Sequence, residues 1–162
     1  MDLEAPADAW YVFIGVSIIS VAVAGVALGF PSGLSPDAEG AMNQINEVAG
    51  SNYEEYGKQD HRAEQFWVDG KRIGLKNQYG TSTSSVRFGT LAPVHGNDKL
   101  AEVLASGSIN DTYTSKSTFR TDVETAQDSA FSDGDPAWRS ASGQLRVRKV
   151  TWGDASVTLV DF

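Results

Sequence analysis

Residues 9–30, AWYVFIGVSIISVAVAGVALGF, hold no charge and no proline, and serine only at Ser17 and Ser20. At about 1.5 Å of rise per residue, a helix of this length spans roughly 33 Å, which matches a hydrocarbon core about 30 Å thick. In lipid each backbone N–H and C=O must be satisfied within the segment, so a single span is helical. That requirement outweighs the poor helix propensity of its many Val and Ile residues. Trp10 and Tyr11 stand at one end, where amphipathic rings settle at headgroup level, and are expected to act as membrane-interface anchors. A cleaved signal would carry a basic n-region and a shorter apolar core. Here Asp2, Glu4 and Asp8 precede the run, with no Lys or Arg. A buried core helix this long and uninterrupted is too much for a chain of this size. The stretch is therefore read as an uncleaved transmembrane helix. Gly15, Ala22, Gly25 and Gly29 fall near one face and include one GxxxG, which makes them candidate helix–helix contacts.

The rest of the chain is arranged behind this span. Residues 1–8 are a short acidic tail, suited to the positive end of the helix dipole. Residues 31–34 form a break, because Pro31 biases Phe30 away from helical dihedrals. Residues 35–162 are then expected to make a soluble α+β domain. It opens with an amphipathic helix: Ser35 is placed to cap it, Pro36 suits its first position, and Ala38, Ala41, Met42, Ile45, Val48 and Ala49 recur at helical spacing up to Gly50. The polar stretch 51–62 resists assignment.

Strand signals follow. A strand over 65–68 meets Asp69-Gly70, a type I′ hairpin signature, and returns over 71–76 with Ile73 and Leu75 on one face. A turn at 77–80 leads to a strand over 83–91, with Val86 and Phe88 on one face and Pro93 as its stop. Asn97 caps a helix holding Leu100, Val103 and Leu104 and closed by Gly107. Ser117 caps another, holding Phe119, Val123 and Ala126, and 132–136 is a loop. A closing hairpin joins 145–152 to 156–162 through a Gly153-Asp154 turn of type II′. In its first strand Leu145 and Val147 share one face and Val150 and Trp152 the other, a phase slip that predicts a bulge near Lys149. The expected fold is α+β: an N-terminal transmembrane helix, then an antiparallel sheet of about five strands with two to three helices on one face.

Composition narrows the function. The formal net charge is −8, with 13 Asp and 8 Glu against 6 Lys. An acidic, lysine-poor surface argues against nucleic acid as a partner, because phosphate neutralisation needs clustered Lys and Arg. It fits a protein kept soluble by charge and would suit high-salt surroundings. The chain has no Cys, which excludes disulfides, thiolate metal sites and thiol catalysis.

No catalytic or metal-binding constellation is legible, and no cofactor is expected. The two histidines, His61 and His95, stand outside any HExxH pattern. Asp60-His61 reads as a solvated polar loop and His95-Gly96 as a turn. There is no G-x-S-x-G elbow, Walker loop or G-x-G-x-x-G. Glu54-Glu55 reads as surface. Arg146, Arg148 and Lys149 form the most basic local group. They are either a docking patch for an acidic partner or lipid headgroups, or a solvated sheet face whose charges discourage edge pairing, and the second reading is preferred. Asn110-Asp111-Thr112 is an N-glycosylation sequon, which makes Asn110 a candidate site if the domain lies outside the cell.

The run DAWYVFIGVSIISVAVAGVALGFP, the IGLKN segment and the closing VRKVTWGDASVTLVDF together resemble a family of small haloarchaeal single-pass membrane proteins of unknown function. The resemblance implies habitat and topology but no catalytic residue. A looser similarity is to type IV pilin-like subunits, which place an N-terminal apolar helix before a sheet domain. Glu4 sits where those subunits carry an acidic residue, but the basic processing site is missing and Pro31 interrupts the helix. The expectation is a non-enzymatic, membrane-anchored structural or accessory subunit of a cell-surface, pilus-like assembly. Its partners would be the lipid bilayer and a membrane or envelope protein. The alternative is an anchored ligand- or protein-binding module. The first basic residue, Lys58, lies too far from the span for the positive-inside rule to speak. The sequon and the Ser/Thr-rich surface place the domain outside the cell.

Overall fold

A computed structural model of the chain describes residues 33–153 and 155–162. The expected span over 9–30, with Trp10, Tyr11, Gly15, Ala22, Gly25 and Gly29, lies outside the described residues, as does the tail 1–8. Among the described residues no helix is long and apolar enough to cross a membrane. Ser35–Phe162 forms one unit of the chain.

Helix α1 (Ala38–Gly50) buries Ala38, Ala41, Met42, Ile45, Val48 and Ala49, the stripe its 3.6-residue period requires. Its cap is Asp37 rather than Ser35. The Asp37 carboxylate accepts from the Gly40 N–H at 2.7 Å, while the Ser35 hydroxyl donates to the Tyr79 carbonyl. The strands are β1 (Tyr56–Asp60), β2 (Gln65–Val68), β3 (Arg72–Asn77), β4 (Gly80–Ser85) and β5 (Leu91–Pro93). Helices α2 (Asp98–Ser106), α3 (Ile109–Thr112) and α4 (Lys116–Asp128) follow. Short β6 (Phe131–Ser132), β7 (Asp135–Pro136) and β8 (Arg139–Ser140) then lead to β9 (Gln144–Trp152) and β10 (Ala155–Asp161).

The class is α+β, but one five-stranded sheet is replaced by two four-stranded sheets and a ribbon. The first sheet runs β1-β9-β10-β5 and the second β4-β3-β2-β8, with β6-β7 a separate pair. Pairing is antiparallel except for β10 with β5, which is parallel. The helices number four among the described residues, and they cover both faces of the first sheet. On one face α1 packs with Leu145, Val147, Val160 and Phe162, over a core completed by Phe66, Ile73 and Leu75 of the second sheet. On the other face α2, α3 and α4 pack Leu104, Ile109, Phe119 and Val123 against Val150, Val157 and Leu159. Each fully buried Leu, Ile or Phe contributes about 1.5–3 kcal/mol relative to exposure.

This two-faced burial explains the phase slip in β9. Its register with β10 runs unbroken from Trp152↔Ala155 to Arg146↔Asp161, so there is no bulge at Lys149. Leu145 and Val147 feed one core and Val150 the other, and the strand changes which face is apolar without changing its ladder.

Other elements differ for local reasons. The strand expected over 83–91 ends at Ser85, and Phe88 is exposed. Val68 pairs with Ile73, so the β2–β3 turn centres on Gly70-Lys71. The Asp69 side chain sets it, accepting from the N–H groups of Lys71 at 2.7 Å and Arg72 at 2.6 Å. The type I′ turn falls instead in the stretch expected to be a loop, where Asp133 (φ 53°) and Gly134 (φ 89°) join β6 to β7. Helix α4 is capped by Ser115 rather than Ser117. Asn97 caps α2 and Gly107 closes it, as their residue types require.

Candidate functional site

The basic group on β9 is occupied within the fold. Arg146 pairs with Asp161 on the neighbouring strand. Arg148 donates through Nε to the Leu104 carbonyl at 2.6 Å and through Nη2 to the Ala105 carbonyl at 3.2 Å. These are carbonyls of the last turn of α2, where a cation complements the helix dipole. Its guanidinium also lies 4.8 Å from the Tyr56 ring centroid. Lys149 donates to the Ser51 carbonyl. The three side chains tie β9 to β10, α2 and the segment after α1 while remaining partly exposed, so they serve internal contacts as well as facing solvent. Partners 44 and 98 residues away in sequence left no local signal.

The histidines are likewise placed by packing. His61 accepts at Nδ1 from the Ala63 N–H at 3.1 Å and meets the Phe162 ring edge-on at 5.3 Å. Its Nε2 is buried without a protein partner among the described residues. Desolvation holds its pKa below the ordinary value, against the opposing charge of Asp60. His95 is exposed and lies edge-on to Phe66. Among the described residues no group of three or more His, Asp or Glu could hold a metal ion.

Three surface features remain. The first is a groove of about 310 Å³ between α4 and β10, with Phe119, Val123 and Val157 on its floor and Lys116, Arg120 and Glu124 on its rim. Its size is at the lower end of ligand pockets. The sequence signal for it is the i, i+4, i+8 spacing of those three charged residues on α4. The second is a hollow of about 260 Å³ beside α3, lined by Glu54, Asp111, Thr151 and Trp152. Asn110 of the sequon also lines this hollow and is exposed, while Thr112 donates its hydroxyl to the Ser108 carbonyl at 3.3 Å. The third is an aromatic layer on the outer face of β2–β3. Trp67 packs against Phe131 at 5.7 Å and Trp138 at 6.4 Å, with Arg72 over Trp67 and Phe131 and Lys76 over Trp138. Gly74 lies beneath the indole, where a Cβ would fall 2.0 Å from Trp67 Nε1. Phe131 and Trp138 lie more than fifty positions beyond the 67–76 hairpin that they cover, and the layer was not legible in the sequence.

The fold and these surfaces define a small α+β domain built around two cores. The chain belongs to a family of unknown function (DUF7283), whose sequence model matches residues 4–150. That match takes in the apolar run as well as the domain through most of β9. No curated protein and no solved structure matches the chain significantly.

Proposed function

We propose that the chain is a single-pass, membrane-anchored, non-enzymatic protein whose domain serves as a structural or accessory subunit of a cell-surface, pilus-like assembly, in a high-salt habitat of the haloarchaeal kind. The observation that carries this reading is the uncharged run over 9–30, set only four residues ahead of the unit Ser35–Phe162. Its length suits a bilayer, and nothing else in the chain explains so long an apolar stretch. A structural role is further supported by the use of Arg146, Arg148, Lys149 and His61 in internal contacts. The N-terminus lies inside and the domain outside. The partners are the bilayer and an envelope or membrane protein met partly through Gly15, Ala22, Gly25 and Gly29.

Gentle solubilisation of native membranes followed by affinity capture of the tagged chain tests the assembly. Stoichiometric recovery of an envelope protein is expected, and it weakens when Gly25 and Gly29 are both changed to Leu. Recovery of the chain alone, with those substitutions silent, contradicts the reading. The groove beside α4 favours the second reading, an anchored binding module. Protection of Arg120 from arginine-directed reagents by a membrane extract would support that alternative.

A further inference from the structure

We propose that the free edge of β4 pairs with the β4 edge of a second copy of this chain, extending the β4-β3-β2-β8 sheet across a two-fold axis. This deepens the assembly reading and rests on it for biological purpose. Its physical basis is the edge itself.

Sheet edges offer rows of N–H and C=O groups, and folded proteins blunt them with charge, proline, bulges or brevity. Three of the four edges of the two four-stranded sheets are blunted. Strand β1 carries Lys58 and Asp60. Strand β5 is three residues long and ends in Pro93, with its Leu91 N–H donating to Gly70 and its Leu91 carbonyl taken by Gln127. Strand β8 has two residues. Strand β4 has none of these devices: residues 35–38 and α1 meet its inner face, through Ser82 with Pro36 and Ala38, and leave the outward backbone groups of Thr81, Thr83 and Ser85 without a backbone partner among the described residues. It runs six residues, GTSTSS, in unbroken register with β3 from Asn77↔Gly80 to Arg72↔Ser85. Its outer edge has no backbone partner among the described residues.

Charge selects the occupant. With a net charge of −8, most of the surface would bring like charges into direct contact with a second copy, a cost that persists at short range even where salt screens longer distances. Residues 77–86 hold no charge, and Lys76 and Arg87 flank them, so a second copy can approach here without like charges in contact. A two-fold antiparallel pair centred on Thr83 sets Thr83 opposite Thr83 of the second copy and Thr81 opposite Ser85 on the exposed face, while Ser82, whose hydroxyl is held by Pro36 and Ala38, and Ser84 lie on the inner face. Hydroxyl pairs of this kind are favourable across strands. The same register brings exposed Tyr79 level with Arg87 of the second copy at both ends, where the ring and guanidinium attract. An isologous contact of this kind closes on itself.

The test uses the full-length chain in mild detergent. It has no native cysteine, so Thr83→Cys supplies the sole thiol. Mild oxidation is expected to convert T83C to a linked dimer, because directly opposed residues have Cα atoms about 4.5–5.5 Å apart, within disulfide reach. T81C should stay monomeric, whereas T81C/S85C should link. The T83C link should persist when Gly25 and Gly29 are changed to Leu, and membrane fractionation of the same samples reports anchoring separately. Thr83→Lys places like charges opposite one another and is expected to abolish the native dimer in sizing while its far-ultraviolet circular dichroism stays that of the parent chain. The proposal is overturned if T83C links no better than T81C or an N110C control, if the adduct has the mass of a different protein, or if T83K remains dimeric.

Discussion

Arg148 on β9 donates to the carbonyl of Leu104 in the last turn of α2, and the helix closes on Gly107, in the left-handed region at φ 80°. The two features depend on each other, since a Cβ on Gly107 would fall 2.6 Å from Arg148 Nη1. Hydrogen bonds from charged donors are worth about 1.5–3 kcal/mol where they are shielded, and less where a side chain is partly exposed. Arg148→Ala is therefore expected to lower unfolding free energy by about 1–2 kcal/mol in urea titration. Arg148→Lys should recover only part of this, because one ammonium cannot reproduce the fork across two carbonyls. Gly107→Ala should cost at least about 1 kcal/mol from backbone strain alone. A neutral result for both Arg148→Ala and Gly107→Ala would contradict the capping role.

The indole of Trp67 rests on bare backbone at Gly74. A methyl there cannot be accommodated without moving Trp67 off the sheet. Gly74→Ala is expected to destabilise by about 1–3 kcal/mol, as overpacking does, and to raise the solvent exposure of a tryptophan, seen as a red shift in fluorescence. An unchanged spectrum and midpoint would contradict the packing described for the outer face of β2–β3.

His61 gives the domain a pH dependence of defined sign. Its folded pKa lies below the ordinary 6.5, chiefly from desolvation. The unfolded chain therefore binds a proton over a pH range in which the folded chain does not. The stabilisation is fully present above 6.5 and is lost as pH falls from there through the lowered folded value. Melting temperature should decline through this window, and His61→Phe should flatten that part of the decline. An unaltered slope in the variant would contradict it.

Phe162, just past β10, closes one of the two cores. It is buried, its ring lies tilted 5.2 Å from that of Phe66 and edge-on 5.3 Å from that of His61, and its carbonyl accepts from the Ser142 N–H. Phe162→Ala should cost about 3–5 kcal/mol by the loss of a buried ring and the cavity left behind. Differential scanning calorimetry would show this as a large drop in midpoint.

Helix α1 was legible in sequence because one stripe faces one core, and each of its six apolar positions is buried. Helices α2 and α4 were legible for the same reason, α2 down to Asn97 and Gly107, whereas α4 starts from Ser115 and not Ser117. Strand β9 was misread because period-2 reasoning assumes one wet face, while this strand is covered on both sides. Strand β1 was missed because YGKQD buries only Gly57, and its order comes from pairing with β9. The roles of Arg146, Arg148 and Lys149 could not be read, since charge pattern along a strand does not reveal a helix end folded against it. The position of the uncharged TSTSS run on a sheet edge emerged only from the strand order.

Alkaline carbonate extraction of native membranes tests the anchoring role of residues 9–30 most directly. The full-length chain is expected to stay in the pellet, and a chain lacking those residues is expected to move to the supernatant. Release of the full-length chain by the wash, or its recovery in the soluble fraction beforehand, would contradict a membrane-spanning anchor.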